Sequence, residues 1–233
     1  MREIAIAPLT DLPHIRRGLS ELLVETVAGG GSVSFMHPLP LETADAFWRD
    51  SLAAAARGDR VVLGAFDGET VVATVTLLLG LPANQPHRAE IAKMMTKVSH
   101  RHRGIASRLM HAAERMAIEC GRTLLVLDTA VDDGASGLYE RLGFNLTGII
   151  PDYALKPHGG LTGTMIYWKR IAHDPEKWEP VFPRDKREAF ARRSCANPRA
   201  PSTRNHSWVI RRPLKGRWRT FFLVQTKGSA LSL

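Results

Sequence analysis

The spacing of apolar residues over the first 171 positions predicts eleven secondary-structure elements. Runs of β-branched residues and apolar–polar alternation predict strands at residues 3–8, 60–66, 70–79, 89–98, 123–129, 144–150 and 162–171. Apolar residues three and four positions apart predict helices at residues 11–28, 41–57, 104–120 and 134–142. The order β-α-α-β-β-β-α-β-α-β-β predicts an α/β (α+β) domain in which seven strands are flanked by four helices.

The periodic pattern stops at residue 172, where we place a domain boundary. Beyond it prolines recur among arginines, at positions 175, 180, 183, 198, 201 and 213. Such a composition is typical of chains that cannot bury a core. The sequence therefore predicts one folded domain at residues 1–171. It predicts a basic, Pro/Arg-rich C-terminal extension at residues 172–233, disordered or weakly structured.

The net charge of +9 belongs to that extension. Residues 1–171 contain 18 Lys and Arg against 18 Asp and Glu, whereas residues 172–233 contain 14 against 5. The predicted domain is electrically balanced, so its charge is no argument for nucleic-acid binding.

Several classes of protein find no support in the sequence. No apolar run approaches the roughly 18 residues of a membrane span, and the apolar run at the N-terminus is too short for a secretory signal. We therefore expect a cytoplasmic protein without a membrane partner. His100 and His102 have no further ligands at helical or strand spacing, so no metal site is expected.

The clearest chemical signal lies in residues 94–106, which predict a strand that leads through a basic turn into the start of a helix. The first backbone N–H groups of a helix have no intrahelical partner, and the helix dipole adds partial positive charge. Gly104 and Ala106 allow a phosphate to approach the backbone closely, and Arg101 and Arg103 add positive charge. The segment therefore indicates a pyrophosphate site.

Two motifs in register give the sequence its family resemblance. Residues 101–106 read Arg-x-x-Gly-x-Ala and match the (Gln/Arg)-x-x-Gly-x-(Gly/Ala) acyl-CoA pyrophosphate loop of GNAT acetyltransferases. Residues 132–144 read Asp-x-x-Ala-x-x-Leu-Tyr-x-x-x-Gly-Phe and resemble that family's Asn-x-x-Ala-x-x-Leu-Tyr-x-x-x-Gly-Phe segment. Residues 1–171 thus resemble a GNAT domain, which implies a mixed central β-sheet.

The resemblance implies acetyl-CoA as co-substrate. The backbone of Met94, Met95 and Thr96 is expected to pair with the pantetheine arm like an added strand. The pyrophosphate is expected to bind the residues of the turn and of the first helical turn: Arg101, His102, Arg103, Gly104, Ile105, Ala106 and Ser107. Asp132 stands where the family usually has Asn, which weakens the expectation of a contact to the pantetheine amides. A homodimer is a further family expectation.

A closer resemblance concerns the acceptor. Residues 25–36, 88–90 and 127–129 are similar to the tabtoxin-resistance branch of the family, which acetylates a small β-lactam amino acid. This similarity implies that the acceptor is the primary amine of a small molecule, such as an amino-acid-like compound, a toxin or an antibiotic. Phe35 and the glycine loop before it are expected to shape the amine pocket.

Acetyl transfer to an amine needs a base for the ammonium, whose pKa is about 10, and an acid for the departing thiolate. In the family template Glu90 and Asp128 lie near the thioester, and we expect them to be general base and ammonium-binding partner, in either order. Tyr139 is the expected general acid. Without the template, Glu90 would simply pair with Arg88, Asp128 would cap a turn, and Tyr139 would be a core residue.

Three other functions remain open from the sequence. A protein or peptide N-acetyltransferase would share the fold but would need an open peptide groove. A nucleic-acid-binding protein would act through residues 184–219, where Trp208 and Trp218 lie among basic residues. A non-catalytic acyl-CoA sensor would bind acetyl-CoA without turnover.

Overall fold

The computed structural model describes residues 3–132, 134 and 136–171, and within them the predicted order of elements is confirmed. The strands are β1 (Ala5–Pro8), β2 (Arg60–Asp67), β3 (Thr70–Leu78), β4 (Arg88–Thr96), β5 (Leu124–Ala130), β6 (Asn145–Leu155) and β7 (Leu161–Arg170). The helices are α1 (Pro13–Ala28), α2 (Leu41–Ala56), α3 (Ile105–Glu119) and α4 (Ser136–Arg141), with a 3₁₀ turn at Val98–His100. The predicted boundary at residue 172 and the extension lie outside the described residues and stay predictions.

The seven strands form one mixed sheet in the order β1-β2-β3-β4-β5-β7-β6. Neighbouring strands are antiparallel except β4 and β5, which run parallel. The parallel pair needs a crossover, and α3 supplies it. The mixed sheet that the sequence led us to expect is therefore confirmed.

Helices cover both faces of the sheet. On one face α3 packs through its apolar stripe, including Leu109 and Met116, against residues such as Ile91 and Leu125 of the central strands. On the other face α1 and α2 bury a second cluster around Trp48, whose side chain has no exposed surface. Along the described ranges, no helix is long and apolar enough to cross a membrane.

The start of α1 differs from the prediction that Asp11 begins the helix. The N-cap is Leu12, without a side-chain hydrogen bond, and Pro13 occupies the first turn. A proline suits that position because its fixed φ is already helical and its missing N–H would have had no partner there. Asp11 instead accepts a hydrogen bond from Arg16 at 2.6 Å.

Two strand boundaries also differ from the prediction. β4 ends at Thr96 because the next residues form the 3₁₀ turn. β6 continues to Leu155, five residues beyond its predicted end at residue 150. Pro151 is accommodated because β6 is an edge strand and its register with β7 shifts between Ile150 and Ala154, and edges and bulges are where strands tolerate proline.

Candidate active site

β4 and β5 separate part-way along their length. Their pairing ends at Ile91 with Leu127, although β4 continues to Thr96 and β5 to Ala130. Within the described residues, the side of β4 that faces β5 therefore has no strand partner beyond Ile91. Its backbone donors and acceptors can pair with another extended chain.

A β-bulge lies in β4 where the two strands separate. The pairing with β3 shifts between Thr74 and Thr76, so that Lys93 and Met94 together face a single β3 residue. Lys93 has φ of +52°, a left-handed conformation that is uncommon for a residue with a side chain and that clusters at functional sites. Because the bulge reverses the alternation of side chains, Met95 packs into the cluster formed with α1 and α2.

A cavity of about 740 Å³, here called the central cavity, opens where β4 and β5 separate. Its walls are residues 29–34 after α1, parts of α2, β2, β3, β5 and α4, and residues 90–96 of β4. Among its lining residues are seven of the expected catalytic and cofactor-binding residues: Glu90, Met94, Met95, Thr96, Arg101, Asp128 and Tyr139. Phe35 does not itself line the cavity among the described residues. Its ring packs edge-on against that of Phe47, which does, with centroids 5.2 Å apart.

The two carboxylates in the central cavity have different surroundings. Glu90 is half-buried and lies 3.2 Å from Arg88 Nη1, which is the pairing expected without the family template. Asp128 is exposed and accepts a hydrogen bond from Thr164 Oγ1 at 3.4 Å. Among the described residues Asp128 forms no ion pair. Asp128 is therefore the carboxylate better able to engage an ammonium.

Tyr139 enters the central cavity from α4 and is held firmly. Its side chain is only 5% exposed, and its ring lies 6.1 Å from that of Phe144 and 5.9 Å from that of Tyr167, measured between centroids. Tyr167 is fully buried outside the cavity; burial, together with a hydrogen bond donated to Glu140, raises its pKa. Of these two neighbouring tyrosines, Tyr139 is the one that lines the central cavity.

The basic turn between β4 and α3 is held by contacts from two other elements. Glu25 of α1 accepts a hydrogen bond from the backbone N–H of Val98 at 2.8 Å. Asp67 of β2 has a carboxylate oxygen 3.3 Å from His100 Nε2 and 3.9 Å from Arg103 Nη1. Arg103 is thus directed to a carboxylate within the protein.

Gly104 ends this turn as the N-cap of α3, with φ of +72°. A Cβ atom built there would meet no atom of the described residues within 4 Å, so on their side the backbone is open to a ligand. Arg101 is exposed and lines the central cavity. The other residues predicted to bind the pyrophosphate are His102, which is exposed, Ile105, which is buried, and Ala106 and Ser107, which are half-buried.

Lys93 is a site residue that the sequence did not single out. Its Nζ donates hydrogen bonds to Val33 O at 2.8 Å and Ser34 Oγ at 3.0 Å, and lies 5.7 Å from the ring centroids of Phe35 and Phe47. Burial lowers the pKa of its ammonium. A signal was present: strict alternation would place this lysine on the buried α3 side, which is costly for a cation.

Asp132, which replaces the family's usual Asn, lines the central cavity but points to a partner within the protein. Its Oδ2 lies 2.5 Å from Nζ of Lys156, and this hydrogen bond lowers the pKa of Asp132. Within the residues that the structure describes, no three His, Cys, Asp or Glu side chains are grouped as metal ligands would be.

Known proteins match both the sequence and the fold. Residues 32–144 match the Acetyltransferase (GNAT) family. An N-acetyltransferase from Staphylococcus aureus Mu50 is 17% identical, with a TM-score of 0.59 over 72% of this chain and 98% of that one. A GNAT superfamily phosphinothricin acetyltransferase from Sinorhizobium meliloti, in complex with AcCoA, is 15% identical, with a TM-score of 0.61 over 71% of this chain and 88% of that one.

A third structure limits what the fold alone can say about the acceptor. A ribosomal-protein-alanine N-acetyltransferase from Brucella melitensis is 18% identical, with a TM-score of 0.61 over 71% of this chain and 99% of that one. At such identities only the fold is shared, and proteins with this fold are named for different acceptors. The match at residues 32–144 and the fold shared around it identify this part of the chain as a GNAT acetyltransferase domain.

Proposed function

We propose that this GNAT acetyltransferase moves the acetyl group of acetyl-CoA directly onto the primary amine of a small molecule. One observation carries the proposal: Glu90, Asp128 and Tyr139 line the same cavity as the unpaired side of β4. A base, an ammonium-binding carboxylate and an acid are the groups that acetyl transfer requires, and here they surround one space.

The residues present fit acetyl-CoA, which would supply the acetyl group as a thioester. The side of β4 beyond Ile91 offers backbone hydrogen bonds to the amides of the pantetheine arm. Gly104 leaves the first turn of α3 open to the pyrophosphate. Arg101 faces the central cavity, whereas Arg103 is directed to Asp67. We therefore expect Arg101 to contribute more to phosphate binding than Arg103.

The side chains divide the proton transfers between them. Asp128, directly or through water, takes a proton from the acceptor ammonium, so that the nitrogen lone pair can attack the acetyl carbonyl. Glu90, already beside Arg88, helps to bind the ammonium. The hydroxyl of Tyr139 donates a proton to the sulfur as the carbon–sulfur bond breaks, and the second proton lost by the attacking nitrogen passes through water to restore the tyrosine. A backbone N–H of β4 near the bulge stabilises the charge on the carbonyl oxygen.

The form of the central cavity favours a small acceptor over a protein. Residues 29–34 form part of its wall, and Lys93 fastens this segment to β4 through Val33 and Ser34. A peptide acceptor would need an open groove at this place. The resemblance of residues 25–36 to the tabtoxin-resistance branch supports the same acceptor class, with toxin or antibiotic resistance as its role.

The test is acetyl-CoA consumption, measured as released thiol, with a panel of small amino acids, antibiotics and peptide N-termini. Gly104→Glu would put bulk and negative charge against the pyrophosphate and should abolish turnover. Gly121→Glu is the matched control: Gly121 lies at the other end of α3, has φ of +70° and is equally open. Both substitutions therefore carry the same backbone strain, and only the first should remove activity.

The outcomes separate the competing functions. Turnover on peptide N-termini alone would indicate a protein N-acetyltransferase. Binding of acetyl-CoA without turnover on any amine would indicate an acyl-CoA sensor. Salt-sensitive retention of DNA that is lost on truncation at residue 171 would support a nucleic-acid-binding extension. The proposed homodimer is tested separately by the mass of the full chain in solution.

A further inference from the structure

Two cationic side chains line the central cavity without a carboxylate partner. Lys93 and Arg60 both belong to its wall. Neither has an Asp or Glu oxygen within 4.0 Å in the described ranges. Burial lowers the pKa of both groups, because each cation has lost contact with water. The same loss of hydration lowers the stability of the folded protein. Asp128 acts on Lys93 and Asp59 on Arg60 without direct contact, so an anion bound in the central cavity would be the first direct partner of either charge.

Polar atoms near these cations also have no partner. Nε of Arg60 is buried and forms no hydrogen bond within the described residues, although Nη1 donates to Ser51 Oγ at 3.2 Å. Thr76 is only 2% exposed and lines the central cavity, and its hydroxyl likewise has no hydrogen-bond partner there. Buried polar groups are normally satisfied, so unsatisfied ones on residues that line a cavity mark these residues as candidates for binding a ligand.

Strand register places Arg60 and Thr76 at the end of the central cavity where Glu90 lies, and Lys93 is near enough to Arg60 for the two charges to interact. Arg60 pairs with Leu78, which pairs with Glu90, so the three side chains lie in one row on one face of the sheet. Thr76 lies two residues along β3 on that same face. Thr96, at the other end of β4, is roughly 20 Å from the Glu90 row at about 3.3 Å per residue. The row therefore lies far from the turn that faces the pyrophosphate.

We propose that Arg60, Lys93 and Thr76 form an anion subsite, and that the acceptor is an amine that also carries a carboxylate. This inference rests on the proposed function and narrows it. The carboxylate binds the two cations and the threonine hydroxyl, and the ammonium of the same molecule lies toward Asp128. Polyamines and aminoglycosides carry no anion and are therefore excluded as preferred acceptors.

The experiment compares amino acids with their own carboxamides, which keep the amine and the size but lose the charge. The probes are the L-α-amino acids and their L-amino acid amides, with cadaverine as an acceptor without any anion. For each pair we take the ratio of kcat/KM for the acid to that for the amide. Dividing the wild-type ratio by the ratio in a variant cancels the intrinsic reactivity of the two amines.

Lys93→Met and Arg60→Gln should each lower the acid-to-amide ratio by about ten-fold or more, as expected for loss of a hydrogen bond to a charged group. Lys93→Arg, which keeps the charge, should retain most of the preference. Lys97→Met is the matched control, since Lys97 follows β4 directly but does not line the central cavity. It should leave the ratio unchanged.

Other results would overturn the inference. If the acid-to-amide ratio of kcat/KM is the same in the variants as in the wild type, the subsite is refuted. The proposed amine acetyltransferase would remain intact. The same holds if cadaverine proves the best acceptor of the wild type. No turnover in either series would refute the subsite together with the proposed function. Loss of all activity in Lys93→Met through the segment at residues 33–34 would leave Arg60→Gln, on another strand, to decide.

Discussion

Replacing Tyr139 by Phe tests the proposed general acid with little structural disturbance. The substitution removes one oxygen and keeps the ring that packs 6.1 Å from Phe144 and 5.9 Å from Tyr167. Because the side chain is only 5% exposed, the ring has little freedom to move. The loss of stability is limited to that of one hydrogen bond, about 0.5–1.5 kcal/mol.

The expected loss of turnover is larger than any loss of folded protein. A positioned general acid contributes about 10²- to 10⁴-fold. The departing thiolate is a fair leaving group, with a pKa of about 8.5, so we expect the lower end of that range. A fall in kcat of about 10²-fold corresponds to about 2.7 kcal/mol at the transition state. A domain stable by about 5–15 kcal/mol stays folded after a loss of about 1 kcal/mol.

The assay measures kcat by thiol release, the Kd of acetyl-CoA by calorimetry, and the urea midpoint, all on the same preparations. A general acid acts on the bond that breaks, so kcat should fall while the Kd of acetyl-CoA changes by less than about three-fold. An equal loss of turnover and of affinity would refute the assignment, because it would make Tyr139 a binding residue. A large shift of the urea midpoint would make it a core residue.

Three further predictions concern the parts that support the site. Glu25→Ala should weaken acetyl-CoA binding about five-fold, because the turn before α3 loses the hydrogen bond to Val98, whereas Glu21→Ala on the same helix should not; calorimetry measures both. Because burial lowers the pKa of Lys93, the unfolded chain binds that proton more tightly than the folded one. The stability of the wild type in urea should therefore rise relative to that of Lys93→Met as pH increases from neutrality toward 10.5. A stability difference that falls over this range would contradict the reasoning. Trp48→Ala should cost about 3–5 kcal/mol in the same denaturation, because the side chain is fully buried.

Much of the fold follows from periodicity that is local in the sequence. The stripe of α3 and the β-branched runs of β2 and β3 depend on residues a few positions apart, and these elements lie where the pattern predicted them. The turn at residues 101–106 was found because spacing, charge and a glycine coincide within six residues. Gly104 has the left-handed φ that only glycine adopts easily.

The walls of the central cavity could not be predicted in the same way, because they depend on contacts between distant parts of the chain. His158, in the turn between β6 and β7, lies 3.0 Å from Ala28 O at the end of α1. The backbone N–H of His37 donates to Pro157 O in that same turn at 2.8 Å. Nothing in the local pattern of either segment indicates its partner. The path of residues 29–37 could therefore not be predicted from the sequence.

The bulge in β4 shows why the most informative residue of the site escaped prediction. A regular strand would have directed Lys93 toward α3, into an apolar core, at a free-energy cost that the surrounding residues could not offset. A left-handed φ at this residue costs about 1–3 kcal/mol, but it turns the ammonium into the central cavity. The bulge also lies where β4 and β5 separate, so one local irregularity both opens the place for the co-substrate and supplies a cation to the acceptor side. Its ammonium is held there by Val33 O and Ser34 Oγ, and the comparison of acids with amides tests directly whether it also binds a ligand's charge.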